Sequence, residues 1–302
     1  MSGRTLILFP GALGDAVCAE PAVAVLARRG PVTFCARGGA AAVARLFPAR
    51  PEVDSLDRAE VAWLFSPVDP AVPPVNSWLD RFARIVSFTG FSDPRARRRL
   101  EATGRAVLAP FPRSPLSVHA SDHFLRWAAE DATLRSPFPR LSLASPATDG
   151  AASGGPPDAA GRRLAIHVGA GARAKRAPTS LLREMALRWR TESGGSVTVI
   201  CGPAEAGDRD AWKDVADSIV EPPDVAALAS VLAGCARWLG HDSGPSHVAA
   251  ALGRSGVVIF VATSPTEFGP RGSGVRAVRV DRDESLPSAT EKVWRALARD
   301  LP

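Results

Sequence analysis

The chain has 302 residues, of which 46% are hydrophobic and 23% charged, as expected of a globular protein with two domains of about 150 residues each. Its net charge of +6 favours acidic ligands or an anionic membrane surface, and we expect no nucleic-acid partner. No apolar run is long enough to span a membrane. Pro10 and Gly11 interrupt the first apolar run, so we expect no signal peptide. We therefore expect a cytoplasmic protein.

The cysteines are widely spaced, lie in apolar surroundings and lack the spacing of metal ligands: Cys18, Cys35, Cys201 and Cys235. This pattern predicts buried thiols in a reducing compartment and no metal site.

Strand and helix patterns alternate through the first half of the chain. We predict strands over Thr5–Phe9, Val32–Ala36 and Ile85–Phe88, and helices over Gly14–Arg29 and Ala40–Phe47. Short strands separated by helices indicate parallel βαβ units.

A glycine-containing loop, Phe9-Pro10-Gly11-Ala12-Leu13-Gly14-Asp15, leads from the first strand into the first helix. Gly11 and Gly14 permit a tight turn and a close approach of the backbone. Asp15 falls in the first helical turn, where an acid either complements the helix dipole or acts as a general base facing a cleft. Position alone favours the dipole role.

A basic run, Arg95–Arg99, follows the aromatic segment Phe88–Ser92. Strand-end loops of parallel sheets face the ligand, so Arg97 and Arg98 are candidate contacts for an anionic acceptor or lipid. A solvated helix face is the alternative. His119 and His123, four residues apart, form a possible metal pair, although a polar helix face is the stronger interpretation.

The segment from residue 144 to residue 162 is rich in Gly, Pro, Ser and Ala, as in flexible linkers. We therefore predict an N-terminal domain over 1–145, a linker over 146–162 and a C-terminal domain over 163–302. The second domain has predicted strands over Leu164–Val168, Val197–Cys201, Ser218–Val220, Trp238–Gly240 and Val257–Val261. The expected fold is α/β, with two doubly wound parallel sheets that face a cleft.

The loop after the first of these strands contains Gly169, Gly171 and Ala174, which match a dinucleotide pattern weakly. Pro178 delays the helix, whereas a dinucleotide site starts its helix inside the glycine motif. A loop carrying Lys175 and Arg176 suits a diphosphate better. Glu205 ends the next strand region, where its carboxylate either binds ribose hydroxyls or is a solvated surface group.

The most informative run is Gly-His-Asp-Ser-Gly-Pro-Ser-His, residues 240–247. It follows a short strand and opens a predicted helix over Ser246–Leu252, and helix N-termini suit phosphate. Asp242, Ser243, Gly244 and His247 are candidate donor-binding residues. An ordinary capped helix is the alternative. A hydrolase triad of Ser243, His247 and Asp242 is disfavoured, because such residues usually come from separate loops.

Two Asp-x-Asp pairs, Asp208 with Asp210 and Asp281 with Asp283, resemble metal-binding motifs. Both are better explained as helix caps or solvated charge.

Taken in order, these motifs and Phe-Gly-Pro-Arg-Gly at 268–272 resemble the heptosyltransferases of glycosyltransferase family 9. The resemblance implies a GT-B fold of two Rossmann-like domains, with a last helix, Ala289–Arg299, that crosses back to the first. The chain departs from the family pattern at four places. Relatives commonly have a basic residue at the position of Phe9, Trp at Ala177, Gly-Pro at Val261-Ala262 and Asn at His241.

The resemblance implies an inverting, metal-independent sugar transfer from a nucleoside diphosphate donor, ADP-heptose-like, to a lipopolysaccharide-core or related acceptor. Asp15 would be the base and Lys175 would stabilise the leaving diphosphate. No cofactor is expected, and the enzyme could sit peripherally on the cytoplasmic face of the inner membrane. An inactive nucleotide-sugar-binding protein and a nicotinamide-dependent oxidoreductase remain alternatives.

Overall fold

A computed structural model describes residues 3–68, 76–143 and 162–299. The chain divides into two compact units, Met1–Arg140 and Leu141–Pro302. Most of the predicted linker lies outside the described residues, so its flexibility stays a prediction.

Unit 1 is built around a five-stranded parallel sheet in the order β3-β2-β1-β4-β5. Its elements are β1 (Thr5–Leu8), α1 (Leu13–Ala27), β2 (Val32–Ala36), α2 (Gly38–Ala44), β3 (Glu52–Ser55), α3 (Ala59–Phe65), α4 (Asn76–Leu79), β4 (Arg84–Ser87), α5 (Pro94–Glu101), β5 (Ala106–Leu108) and α6 (Ala120–Ala129).

The central strands of this sheet could be predicted directly from the sequence. All residues of β1 and β2 are buried, as expected of parallel strands covered on both faces. The flanking strands β3 and β5 escaped prediction because they are half-exposed edge strands without an apolar run. The order of strands reverses between β1 and β4, and the Asp15 loop leaves the sheet there.

Unit 2 contains a six-stranded parallel sheet in the order β11-β10-β9-β6-β7-β8. Its elements are β6 (Arg163–His167), α7 (Thr179–Arg188), β7 (Ser196–Ile200), β8 (Ser218–Val220), α8 (Val225–Ala233), β9 (Arg237–His241), α9 (Gly244–Ala251), β10 (Gly256–Phe260), α10 (Pro265–Phe268), β11 (Val275–Arg279) and α11 (Leu286–Ala298).

The five strands predicted for this half are present, and β11 is an additional, partly exposed edge strand. The order reverses between β6 and β9, which gives the arrangement of a doubly wound sheet with its ligand crevice at the switch point. As expected, α7 begins only after Pro178.

The last helix, α11, buries Ala289, Val293, Trp294 and Leu297 in a core shared with α7 and the strands of unit 2. Its predicted crossing to the first domain remains a prediction.

Two expectations from composition can be compared with the structure. All four cysteines are free and buried, and burial raises the pKa of the Cys35 and Cys235 thiols to about 12, so both stay protonated. In the described parts of the chain, no helix is long and apolar enough to cross a membrane.

Candidate functional site

An ion pair joins the two loops that leave the sheet of unit 2 at its switch point. Lys175 Nζ lies 2.7 Å from Asp242 Oδ2. The same carboxylate oxygen accepts a 2.7 Å hydrogen bond from Thr263 Oγ1. The carboxylate is buried, while a third of the Lys175 side chain is exposed. An ammonium group has three donors, so Lys175 keeps donors for an anionic ligand.

The start of α9 lies beside Asp242. Ser243 is the N-cap residue, but its side chain caps no amide. Its hydroxyl and that of Ser246 both donate to the carbonyl of His241, at 3.3 and 2.6 Å. The Ser243 side chain therefore does not cap the first turn, which begins at Gly244 and retains the partial positive charge of a helix N-terminus. His247 is buried on the same helix.

Glu205 is held as part of the scaffold. Its carboxylate pairs with Arg176 and accepts a 3.2 Å hydrogen bond from the amide of Gly202. Glu205 is buried, so the predicted alternative of a solvated surface group is wrong. Both carboxylate oxygens of Glu205 keep lone pairs that could accept a hydrogen bond from a hydroxyl group.

The two predicted glycines of the loop after β6 have different surroundings. A Cβ atom on Gly169 would come within 2.6 Å of Glu205 Oε2, whereas one on Gly171 would meet nothing within 4 Å. A side chain at Gly169 would therefore displace the Glu205 carboxylate, whereas Gly171 borders open space. This contact was not predictable from the sequence, because the two partners are 36 positions apart.

A pair of neutral histidines lies below these loops. Burial lowers the pKa of His241 to about 4 and, together with the neighbouring His241, lowers that of His167 to about 3. His241 Nδ1 lies 3.2 Å from the carbonyl of Gly169. His241 thus connects the end of β9 to the loop after β6 without adding charge at neutral pH.

The switch point of unit 1 is predominantly aromatic. Phe9 is fully buried and contacts the rings of Phe34, Phe88, Phe111 and Phe124. A Cβ atom on Gly11 would lie 2.6 Å from the Phe9 ring and 2.7 Å from the Asp15 Cβ atom. Gly11 is therefore required for the loop to pass over this cluster.

Asp15 is the third residue of α1, and its Oδ2 accepts a 2.9 Å hydrogen bond from the amide of Ala12. Gly14 precedes it in the first turn. The carboxylate thus satisfies the helix N-terminus and remains only half-buried. The helix role and a role as base use the same position, and they do not exclude each other.

The arginine cluster on α5 divides into two groups. Arg97 stacks on Phe91 at 4.6 Å and donates to its carbonyl. Arg99 stacks on Trp63 at 4.4 Å and donates to the carbonyls of Ser66 and Val68. Arg98 is exposed and forms no ion pair with a described residue. Arg97 and Arg99 anchor loops, which leaves Arg98 as the more available contact.

Several side chains of the alternative sites have other partners in the structure. His119 accepts from the amide of Ser121 and His123 bonds to the carbonyl of Pro110. Asp242 bonds to Lys175 and Thr263, and the Ser243 hydroxyl donates to the carbonyl of His241. Asp210 and Asp281 pair with Lys213 and Arg279. Among the described residues, no group of three His, Cys, Asp or Glu side chains could hold a metal ion.

Comparisons with solved structures place this fold among glycosyltransferases. E. coli ADP-heptose lipopolysaccharide heptosyltransferase II superposes with a TM-score of 0.70 at 14% identity, covering 98% of this chain and 99% of that one. A family 9 glycosyltransferase from Veillonella parvula gives 0.69 at 14% identity, with 93% and 87% covered. E. coli heptosyltransferase WaaC with ADP gives 0.67 at 15% identity, with 97% and 99% covered.

A search of curated protein sequences found no match. The model of glycosyltransferase family 9 (heptosyltransferase), however, matches residues 76–294, which is more than half of the chain. These residues include the Lys175–Asp242 pair, α5 and the whole doubly wound sheet of unit 2. The chain is a glycosyltransferase with the GT-B fold, and it belongs to glycosyltransferase family 9, the heptosyltransferase family.

Proposed function

We propose that this enzyme transfers a heptose-like sugar from a nucleoside diphosphate donor to a lipopolysaccharide-core or related glycan, with inversion and without a metal ion. The observation that carries the proposal is the Lys175–Asp242 pair at the switch point of unit 2, next to the uncapped start of α9. Two of the similar structures are described as an ADP-heptose heptosyltransferase and as a heptosyltransferase with ADP, which supports an adenine nucleotide.

On the donor side, charge grows on the leaving diphosphate as the bond to the anomeric carbon breaks. Lys175 supplies a cation that Asp242 holds in place, and the first turn of α9 supplies amide dipoles. Fixed charges and dipoles of this kind stabilise a developing anion without reorganisation. Gly171 leaves room for the donor, and Glu205 can accept a ribose hydroxyl with its remaining lone pairs.

On the acceptor side, Asp15 removes the proton from the attacking hydroxyl. An alcohol is a weak nucleophile until this proton leaves, so a general base accelerates the step. The freed oxygen attacks the anomeric carbon, the nucleoside diphosphate departs with the bonding electron pair, and Asp15 holds the proton. One direct displacement inverts the anomeric configuration.

Calorimetric titration with ADP, GDP and UDP, followed by transfer assays with ADP-heptose and a lipopolysaccharide-core acceptor, tests the proposal. We expect ADP to bind with the highest affinity and the product to have inverted anomeric configuration by NMR. Binding of ADP without transfer would instead favour a nucleotide-sugar-binding protein, and binding of NAD would favour an oxidoreductase.

Metal independence is tested in the same assay. We expect transfer to continue in EDTA, because Lys175 and α9 already provide positive charge for the diphosphate. Complete loss of transfer that magnesium or manganese restores would contradict this part of the proposal.

A further inference from the structure

A pocket of about 690 Å³ opens in unit 2 between the start of α7, the ends of β10 and β11, and the start of α11. This volume lies within the range of small-molecule sites. None of the candidate donor-binding residues lines it. The lining includes Arg173, Ala174, Arg176 and Ala177, which flank Lys175 on the same loop.

The inner surface of the pocket is apolar. Leu181, Val261, Val280 and Ala289 line it and are buried in the core of unit 2. Leu286, at the first position of α11, leaves 43% of its surface exposed at the same pocket. An aromatic or aliphatic body in the pocket would cover this surface and gain the free energy of apolar burial.

The uncompensated charge around this apolar surface is positive. Arg173 and Arg282 are exposed and pair with no acidic group among the described residues. The Nε atom of Arg176 is buried and has no hydrogen-bond acceptor among them. The two lining acids are already neutralised, since Asp281 pairs with Arg279 and Glu284 with Lys292.

We propose that this pocket is a second ligand site, separate from the donor site, that binds a small organic anion. The ligand would place one phosphate, sulfonate or carboxylate group between Arg173 and Arg282 and an apolar body against Val261 and Leu286. Arginine guanidinium groups bind such anions through paired hydrogen bonds. Lys175 takes no part, because it is not among the residues that line the pocket.

Anilinonaphthalene sulfonate, which combines one anionic group with an aromatic body and fluoresces in apolar surroundings, is a suitable probe. We expect saturable binding to the intact enzyme and a dissociation constant at least about tenfold higher in the double variant Arg173→Gln/Arg282→Gln. The double variant Arg28→Gln/Arg29→Gln removes the same charge from exposed positions of unit 1 and should bind like the wild type. Equal affinity in the two double variants would overturn the proposal.

Two further measurements separate this site from the donor site and from loss of folding. Ala177→Trp should block the pocket and reduce probe binding while the variant keeps a cooperative thermal transition. Unchanged binding by this folded variant would contradict the proposal, and if it fails to fold the arginine variants decide. Added ADP should leave the dissociation constant of the probe unchanged, or shift it to a limiting value that more ADP does not change. An apparent dissociation constant that rises without limit as ADP increases would assign the probe to the donor site.

Discussion

At the switch point of unit 2, ion pairs join the loop after β6 to two neighbouring loops: Lys175 pairs with Asp242 after β9, and Arg176 pairs with Glu205 after β7. The same position of unit 1 holds rings around Phe9 and the carboxylate of Asp15 at the start of α1. One topology therefore carries two chemistries. A fixed charged network suits a diphosphate, whereas one half-exposed carboxylate beside apolar rings suits proton transfer from an uncharged hydroxyl. Variants in the two units should fail in different ways.

Asp15→Asn should have the largest effect. The amide keeps the size of the side chain but cannot take a proton, so turnover should fall by about 10²–10⁴-fold. Binding of ADP, measured by calorimetry, should not change, because the variant leaves unit 2 intact. Turnover near that of the wild type would remove Asp15 from the role of base.

His241→Asn tests the neutral core of unit 2. The unfolded chain protonates His241 near pH 6.5, whereas the folded chain resists protonation down to about pH 4. The wild type therefore loses stability as pH falls through this window, by about 3 kcal/mol for a shift of this size. The variant has no imidazole at position 241, so it does not lose this part of its stability as the pH falls.

Urea unfolding at pH 7 and pH 4 measures the effect. The variant's stability relative to the wild type should improve by about 3 kcal/mol between the two pH values, whatever its stability at pH 7. If the difference in unfolding free energy between the variant and the wild type is the same at pH 7 and pH 4, His241 does not resist protonation in the folded chain.

How far the sequence predicts this molecule differs between local and long-range features. Apolar runs such as Val257–Val261 identify central strands, and glycine-rich loops after them mark the switch points. Edge strands such as β11, with the sequence VRAVR, lack that signal because solvent covers part of them. Local patterns also placed the Asp15 and Lys175 loops at strand ends.

Side-chain partners within the site were less accessible to prediction. The pairing of Lys175 with Asp242 spans 67 positions and that of Arg176 with Glu205 spans 29. Spacing along the chain contains no information on which of two adjacent cations faces which acid. The sequence also did not distinguish Arg97 from Arg98, because the stacking of Arg97 on Phe91 depends on the conformation of the turn between them.

Lys175→Ala tests the donor side of the comparison. Loss of one charge-assisted hydrogen bond to phosphate costs about 1.5–3 kcal/mol, so the dissociation constant of ADP should rise about tenfold to a hundredfold. Lys213→Ala removes an exposed lysine that pairs with Asp210 and is the matched control. An ADP affinity equal to that of the control would exclude Lys175 from diphosphate binding.

Arg98→Gln should have the smallest effect and examines whether unit 1 also uses charge. Arg98 is exposed on α5, after the loop that follows β4. Exposed ion pairs contribute about 0.2–1 kcal/mol, so the Michaelis constant for an anionic acceptor should rise up to about fivefold, with that for the donor unchanged. The effect should weaken with added salt, because screening reduces exposed charge interactions.

Two control variants define the effect of Arg98. Arg28→Gln, at the C-terminal end of α1, should change neither Michaelis constant. Arg97→Gln, which breaks the stacking on Phe91, should lower the unfolding temperature instead. If Arg98→Gln and Arg28→Gln give the same acceptor constants at low salt, the basic face of α5 is only solvated surface.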